Sequence, residues 1–289
     1  MIPCDLCGST DPQPILESPR PSRLDGPLVR CRKCGLYYVG ERRSALTFGA
    51  GSSEEVIERV RGANRGIRDL PLEEEHRLAE LNAKARLQVI RQYRPSGKLL
   101  EVGCARGDFL RVARQYFTAF GVEPNAELAQ EAVKFAPVHQ GLIETEPGSY
   151  YDVAASFHVI EHTPSPKQFL AAIAQRLRPR GLVVLETPDI DSMPFRILKS
   201  RWRQFIPEHY YFFDERSMRK LLEDGGFKVE KIGRIGKYAS VALLLNRFSR
   251  YFSPLQYTEN LAAWLHLSRL TFEMDPFDIM IAIASKKEE

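Results

Sequence analysis

The chain of 289 residues lacks a long apolar run and lacks a strong excess of either charge. Its first residues are interrupted by Pro3 and Asp5, which argues against a secretory signal peptide. The densest short apolar run, residues 241–245, is far shorter than the roughly 20 residues of a membrane-spanning helix. With 41 basic and 37 acidic side chains, the net charge of +4 is too small to require nucleic acid. We therefore expect a cytoplasmic protein with an ordinary hydrophobic core and no membrane span.

Cysteine is scarce as well, and its spacing is informative. Four of the five cysteines form two Cys-x-x-Cys pairs, each followed by glycine, and five prolines lie between the pairs. Two disulfides are the alternative, but disulfides are rare in the reducing cytoplasm. Two such pairs can place four thiolates in a tetrahedron with no open position, which favours structural zinc over redox chemistry. The predicted zinc ligands are Cys4, Cys7, Cys31 and Cys34.

The segment from Lys98 to Glu123 has the pattern of a nucleoside-binding α/β unit. Residues 98–102 predict a short buried strand, 103–107 a glycine-containing turn, and 108–116 the opening of a helix. A second strand, 119–123, then ends in a carboxylate. Glycines let a ligand approach the backbone, and an acid at the strand end can accept both ribose hydroxyls. The pattern therefore predicts a nucleoside site.

The details of the turn separate it from the dinucleotide fingerprint, because Asp108 stands where the last glycine belongs. The run from Glu101 to Gly107, EVGCARG, instead resembles the E-x-G-x-G-x-G turn of class I S-adenosylmethionine (SAM) methyltransferases. Ala105 replaces the middle glycine, and its methyl group is tolerable if its φ is negative. Later segments, including LRPRGLVVLETPD at 177–189, resemble methyltransferases that make ubiquinone, modify sugars and tailor natural products. The resemblance covers about residues 99–232.

This resemblance implies an α/β fold, with a Rossmann-like sheet of seven strands and helices on both faces. In that fold the last strand returns between the fifth and sixth strands. We predict a zinc ribbon at 1–42, a linker or lid and a covering helix at 43–94, and the methyltransferase domain at 95–289. The helical pattern of about 238–272 reads as an insertion within the last connection of that domain.

The resemblance also assigns contacts to the cofactor. Residues 141–144 match the place where such enzymes contact the adenine ring, although two ordinary strand-end hydrophobics would look the same. The end of the fourth predicted strand should lie near the methionine part of SAM. The predicted cofactor-binding residues are Glu101, Gly103, Ala105, Gly107, Glu123, Leu142, Ile143, Phe157 and His158.

Three residues are candidates for catalysis: Glu161, His162 and His209. Methyl transfer from a sulfonium is an in-line displacement, and a hydroxyl or acidic-carbon acceptor must also lose a proton. Imidazole near neutral pH suits that task, and the adjacent carboxylate can raise its basicity or orient a partner. The Glu-His pair resembles that of ubiquinone-pathway O-methyltransferases, which implies that it could help to hold a divalent cation. The alternative is that these residues merely order their loops.

The expected function is SAM-dependent methylation of a small acceptor: a sugar, polyketide, lipid or quinone-like hydroxyl or carbon. The basic run Arg196, Lys199, Arg201 and Arg203 is either a solvated face or a site for a phosphate-bearing or carrier-bound acceptor. Two alternatives stay open. One is an RNA methyltransferase that grips RNA with the ribbon, although the ribbon is not strongly basic. The other is a non-catalytic interaction protein, against which the intact motifs count.

Overall fold

The computed structural model describes most of the chain: residues 2–16, 24, 26–41, 72–148, 150–241, 243–244, 270–275 and 277–288. The predicted linker at 43–71 lies outside these residues, as does most of the predicted insertion at 238–272.

The N-terminal segment forms a small antiparallel sheet. Its strands are β1 (Pro12–Leu16), β2 (Leu28–Cys31) and β3 (Tyr37–Val39), each paired with the next. A fourth strand, β9 (Tyr211–Phe212), comes from much later in the chain and pairs antiparallel with β3. The ribbon sheet is therefore completed by a segment of the predicted methyltransferase domain.

The central sheet has seven strands. In chain order they are β4 (Gly97–Val102), β5 (Phe117–Glu123), β6 (Val138–Gln140), β7 (Tyr151–Phe157), β8 (Leu177–Pro188), β10 (Phe227–Arg234) and β13 (Ile279–Lys286). Their order across the sheet is β10-β13-β8-β7-β4-β5-β6, and β13 runs antiparallel to both neighbours. The predicted return of the last strand between the fifth and sixth is confirmed.

Helices cover both faces of this sheet. They are α1 (Leu72–Tyr93), α2 (Asp108–Ala113), α3 (Ala126–Ala132), α4 (Pro166–Arg176), α5 (Met193–Leu198) and α6 (Glu215–Asp224), with single 3₁₀ turns at Ile143–Thr145, Ile160–His162 and Lys199–Arg201. Side-chain caps fix several starts; Ser165, for example, accepts the Gln168 N–H ahead of α4. Across the described part of the chain, no helix combines the length and apolarity needed to cross a membrane.

β8 begins at Leu177, which pairs with Tyr151 before an irregular step in the ladder. One sequence prediction differs from the structure. At the start of the predicted helical insertion, the strand β11 (Lys237–Ser240) pairs with β12 (Thr271–Met274). The helical prediction is wrong for these described residues, since pairing across the insertion satisfies their backbone groups as a two-stranded ladder.

The core has one layer on each face of the sheet. Alternate residues of β4 point to opposite layers, so that Leu100 packs towards α4, α6 and the ribbon, and Leu99 packs towards α1 and α2. Because both faces are covered, β7 is buried along its whole length, and its polar residues Asp152 and Ser156 accept from the Lys98 N–H and donate to the Val102 carbonyl. The carboxyl ends of the parallel strands remain as the edge on which a site can form.

Candidate active site

Glu123 ends β5 at the carboxyl edge of the sheet. Its Oε2 accepts the Ala105 N–H and its Oε1 the Asn125 N–H, both at 2.9 Å. Burial raises the pKa of this carboxyl, and the two N–H donors oppose that shift. A carboxylate has about four acceptor positions, so two remain for a ligand after these bonds are made. The side chain is thus oriented to accept two further hydroxyl donors.

The turn after β4 requires glycine at two positions. Gly103 and Gly107 have φ of 78° and 81°, in the left-handed region that favours glycine. A Cβ on Gly103 would also clash with Val159 Cγ2. Ala105 has φ of 45°, so the condition of a negative φ at this position is not met. Its strained backbone places its N–H on the Glu123 carboxylate, which is why the strain is tolerated.

Glu101 supplies the test of whether the turn fits SAM. Its side chain is buried, and among the described residues its Oε2 has no hydrogen-bond partner. Burial, its largest influence, holds the pKa of this carboxyl well above its usual range. A buried acceptor without a partner calls for a donor, and the ammonium group of SAM is a suitable one. The residues of the turn therefore fit SAM.

The two residues predicted to contact adenine differ in their exposure. Leu142 is 39% exposed and keeps an accessible face beside the end of β6. Ile143 is buried in the main core layer, where its side chain packs on the sheet. A contact of Leu142 with the ring stays a prediction, and Ile143 offers little surface for one.

A buried ionic cluster adjoins this turn, and it was missed by sequence reasoning. Arg86 of α1 makes two hydrogen bonds to Glu186 at the end of β8, at 2.8 and 2.7 Å, and lies over the ring of Phe157. Lys237 of β11 lies 3.1 Å from the same carboxylate. Burial would raise the pKa of Glu186, but these two cations hold it well below its usual range. Nothing local marks these partners, because about 100 residues separate Arg86 from Glu186 along the chain.

His158 links this cluster to the catalytic candidates. Its Nε2 lies 2.8 Å from Lys237 Nζ, and its Nδ1 lies 3.3 Å from Glu161 Oε1. Its φ of 58° is unusual for a residue with a side chain and marks a strained strand end. His158 therefore lies between the buried ionic cluster and the buried carboxylate of Glu161.

Glu161, His162 and His209 come together in the structure. Their ligand atoms all lie within 4.8 Å of one another, and the two imidazole rings are 4.5 Å apart, edge to face. Burial would raise the pKa of Glu161, but the His158 hydrogen bond and the nearby histidines lower it to about 2. Its other oxygen accepts the Thr187 hydroxyl at 3.0 Å. Glu161 is thus an ionised carboxylate beside two histidines.

The two histidines differ in what they offer. His162 Nδ1 lies 2.9 Å from the Glu208 carbonyl, which can only accept, so Nδ1 carries the proton and neutral His162 has its lone pair on Nε2. His209 is buried, and burial together with His162 lowers its pKa to about 3. His162 therefore offers a free lone pair at Nε2, whereas burial keeps His209 neutral at pH 7.

The low pKa of His209 predicts a loss of stability in acid. Above pH 6.5 both states hold His209 neutral; as the pH falls to about 3, the unfolded chain takes up a proton that the folded protein does not. The free energy of unfolding should therefore fall over that window, and His209→Gln should make the fall shallower. Urea titrations between pH 7 and 4 measure the difference. Loss of zinc at acid pH is common to both proteins and cancels, and parallel curves would contradict the assignment.

The four N-terminal cysteines form the second cluster. The Cys4 and Cys34 sulfurs are 3.4 Å apart, the Cys7 and Cys31 sulfurs are 3.5 Å apart, and all five cysteines are free. Sulfurs about 2.3 Å from a tetrahedral zinc would lie about 3.8 Å from one another, so the set fits the ion. Gly8 and Gly35 follow the pairs with φ of 69° and 88°, and each donates its N–H to the first cysteine of its pair. The two knuckles have matching geometry.

Metal analysis should find one zinc per chain in this cluster. Because the buried ribbon side chains belong to clusters shared with the rest of the protein rather than to a separate core, the metal is needed to hold the ribbon together, and zinc removal should unfold residues 2–41. Mass spectrometry under native conditions, with hydrogen exchange of the N-terminal peptides, would measure both effects. A zinc-free preparation with a protected N-terminus would be inconsistent with this result.

Half of the basic run is paired with acidic side chains. Arg203 makes two hydrogen bonds to the buried Asp278, at 3.0 and 2.8 Å, and Arg196 pairs with Asp191 at 2.7 Å. These contacts occupy two of the four cations, and the expectation of a phosphate-bearing or carrier-bound acceptor is not supported.

Together the fold and the site define a SAM-dependent class I methyltransferase, whose cofactor is SAM. A family model described as a methyltransferase domain matches residues 74–232, more than half of the chain. The chain belongs to this methyltransferase family.

Three known proteins are similar to parts of it. The ubiquinone biosynthesis O-methyltransferase of Burkholderia pseudomallei is 28% identical over 179 residues, which are 54% of this chain and 72% of that enzyme. The mitochondrial enzyme of the same name from Schizosaccharomyces pombe is 29% identical over 102 residues, 31% of this chain and 37% of its own length. A SAM-dependent methyltransferase structure from Archaeoglobus fulgidus has a TM-score of 0.51 at 20% identity, covering 74% of this chain and 97% of that one. The last similarity concerns the fold alone.

Proposed function

We propose that this protein transfers a methyl group from SAM to a hydroxyl of a small, quinone-like aromatic acceptor. The observation that carries the proposal is the Glu161, His162 and His209 cluster at the end of β7, beside a nucleoside site built on Glu123. The relatives named ubiquinone biosynthesis O-methyltransferases support an aromatic hydroxyl over the other acceptors.

The cofactor would be held from both ends. Glu123 would accept the ribose hydroxyls, while the backbone of Gly103 and Gly107 allows close approach. At the methionine end, Glu101 would accept the ammonium group and Arg86 would face the carboxylate. The 18% of the Arg86 side chain that stays exposed, beyond its pair with Glu186, is the part available for that contact.

SAM, when bound, supplies an electrophilic methyl group on a sulfonium. The protein aligns the acceptor and removes its proton. His162 takes this proton at Nε2, because the Nδ1–H already donates to the Glu208 backbone carbonyl. The resulting imidazolium is stabilised by the ionised Glu161 beside it. His209, being neutral, packs against the His162 ring and closes the site from the loop after β8.

A divalent cation is the alternative way for this cluster to activate a hydroxyl. Glu161, His162 and His209 would be its ligands, and their ligand atoms lie close enough together to share one ion. The His209 Nδ1, buried and without a partner in the described part of the chain, suits such a role. The cation would lower the pKa of a bound acceptor hydroxyl, and His162 would then serve as a ligand.

Mass spectrometry of reactions with SAM tests this function. The probe is 3,4-dihydroxybenzoate, a soluble catechol, and the matched control is 3,4-dimethoxybenzoate, which has no free aromatic hydroxyl. We expect one added methyl group on the catechol and none on the control. A chelator too weak to remove the ribbon zinc distinguishes the two mechanisms. It should abolish activity if a divalent cation activates the hydroxyl and leave it unchanged if His162 acts as the general base. Methylation of added RNA instead, or SAM binding without transfer to any small acceptor, would overturn the proposal.

A further inference from the structure

The zinc ribbon is joined by its backbone to the segment that carries His209. The ribbon strand β3 pairs with β9, which begins two residues after that histidine. In addition, the Val39 N–H of β3 donates to the Tyr210 carbonyl at 2.9 Å. The position of the loop immediately after His209 is therefore set by the ribbon.

The other side of the same loop is bound to the catalytic turn. The Tyr210 N–H donates to the Glu161 carbonyl at 2.9 Å, and the Glu208 carbonyl accepts from His162 Nδ1 at 2.9 Å. Residues 208–210 thus lie between the ribbon strand and the turn of Glu161 and His162. Shifting either side would change the distance between the two imidazole rings.

A second link runs from the first zinc knuckle to α4. Asp5, which lies between Cys4 and Cys7, accepts the Ser165 hydroxyl at 2.7 Å and the Lys167 N–H at 3.0 Å. This helix begins four residues after His162, and a carboxylate at its start is favourable. The ribbon therefore contacts the chain just after each of the two histidines, at residues 165–167 and at residues 210–212.

Packing adds a third link. Leu28 and Val39 of the ribbon form one buried cluster with Trp202, Phe205 and Phe212 of the loop after β8. The His209 ring lies 6.0 Å from that of Phe212, against this cluster. Trp202 is 2% exposed and fills the space between ribbon and loop. The support behind His209 is thus made in part from ribbon side chains.

We propose that the zinc ribbon is the positioning element of the His162 and His209 pair, so that an intact ribbon is required for efficient methyl transfer but not for SAM binding. The nucleoside site lies at the ends of β4 and β5; ribbon side chains share a buried cluster with Leu100 of β4, but none of these three links holds a residue of that site. The activity part of this inference rests on the proposed function, whereas its structural part does not. A displacement of about 1 Å in a catalytic group can cost on the order of 10²-fold in rate.

Asp5→Ala in the full-length, zinc-loaded protein tests the inference, because it removes the contacts to α4 and spares all four cysteines. Asp11→Ala is the matched control, since within the described part of the chain the Asp11 side chain makes an exposed ion pair with Arg32 and does not contact α4. Asp5→Asn keeps an acceptor for the helix start, so its exchange protection and turnover should stay closer to those of the wild type.

In Asp5→Ala we expect faster hydrogen exchange in peptides covering 160–168 and 208–212, with zinc content unchanged. Turnover of 3,4-dihydroxybenzoate should fall about 10- to 100-fold in kcat, while the SAM Kd by calorimetry changes less than about threefold. Unchanged exchange in both segments would overturn the inference. So would a parallel loss of SAM affinity, which would mean that the ribbon supports the whole domain. If the wild type does not methylate the probe, the exchange result decides alone.

Discussion

His162→Ala should lower kcat by about 10²- to 10⁴-fold, the range expected when a general base is removed. The SAM Kd should be nearly unchanged, because proton removal belongs to the transition state and the nucleoside is held on β4 and β5. Initial rates with 3,4-dihydroxybenzoate, combined with SAM calorimetry, would measure both quantities. This pattern of a changed kcat with unchanged cofactor affinity is what distinguishes a base from a residue that maintains the fold.

His76→Ala is the matched control for this variant, since His76 is an exposed histidine on α1. His209→Ala shows which of the two histidines is the general base. If His162→Ala keeps near-full activity while His209→Ala abolishes it, the base lies on the loop after β8 and our assignment fails. If excess Mg²⁺ restores part of the activity of either variant, the cluster acts as a metal site.

Glu123→Ala should weaken SAM binding by about 1.5–3 kcal/mol, or roughly 10- to 150-fold in Kd. Two effects combine, because the substitution removes the ribose acceptor and also frees the Ala105 and Asn125 N–H groups that the carboxylate now holds. Calorimetry with S-adenosylhomocysteine measures the loss without turnover.

Glu127→Ala is the control for charge in the same region, since Glu127 is exposed at the start of α3. It should bind like the wild type. Glu123→Gln should fall between the wild type and Glu123→Ala, because an amide keeps one acceptor oxygen. Equal binding by all three variants would remove Glu123 from the cofactor site.

The local parts of this site were predictable from sequence. The turn after β4 and the acid at the end of β5 lie within one strand–turn–helix–strand unit, and the two Cys-x-x-Cys pairs have a spacing with few other uses. The Glu161–His162 pair is adjacent in sequence, so its proximity needed no fold. Such features follow from backbone geometry over fewer than about 30 residues.

The parts that depend on distant contacts were not predictable. Arg86 is an ordinary basic residue on a helix until the fold places it on Glu186. The pairing of β9 with β3 joins two segments that the sequence analysis assigned to different domains. Tyr238, predicted as helical, lies instead in β11, where it pairs with Glu273 of β12 and donates its N–H to the Asn82 side chain of α1. Its local sequence indicates neither contact. In each case tertiary contacts override local preference.

The interior position of β13 has a consequence for how the protein folds during synthesis. Until residues 279–286 have left the ribosome, β8 is an unprotected sheet edge and β10 has no partner in the central sheet. The nascent chain therefore carries a buried strand with open backbone groups while the roughly 90 residues between β8 and β13 are made. A chaperone that shields strand edges should raise the soluble yield, and slower synthesis alone should do little, because the missing partner is made after both of its neighbours.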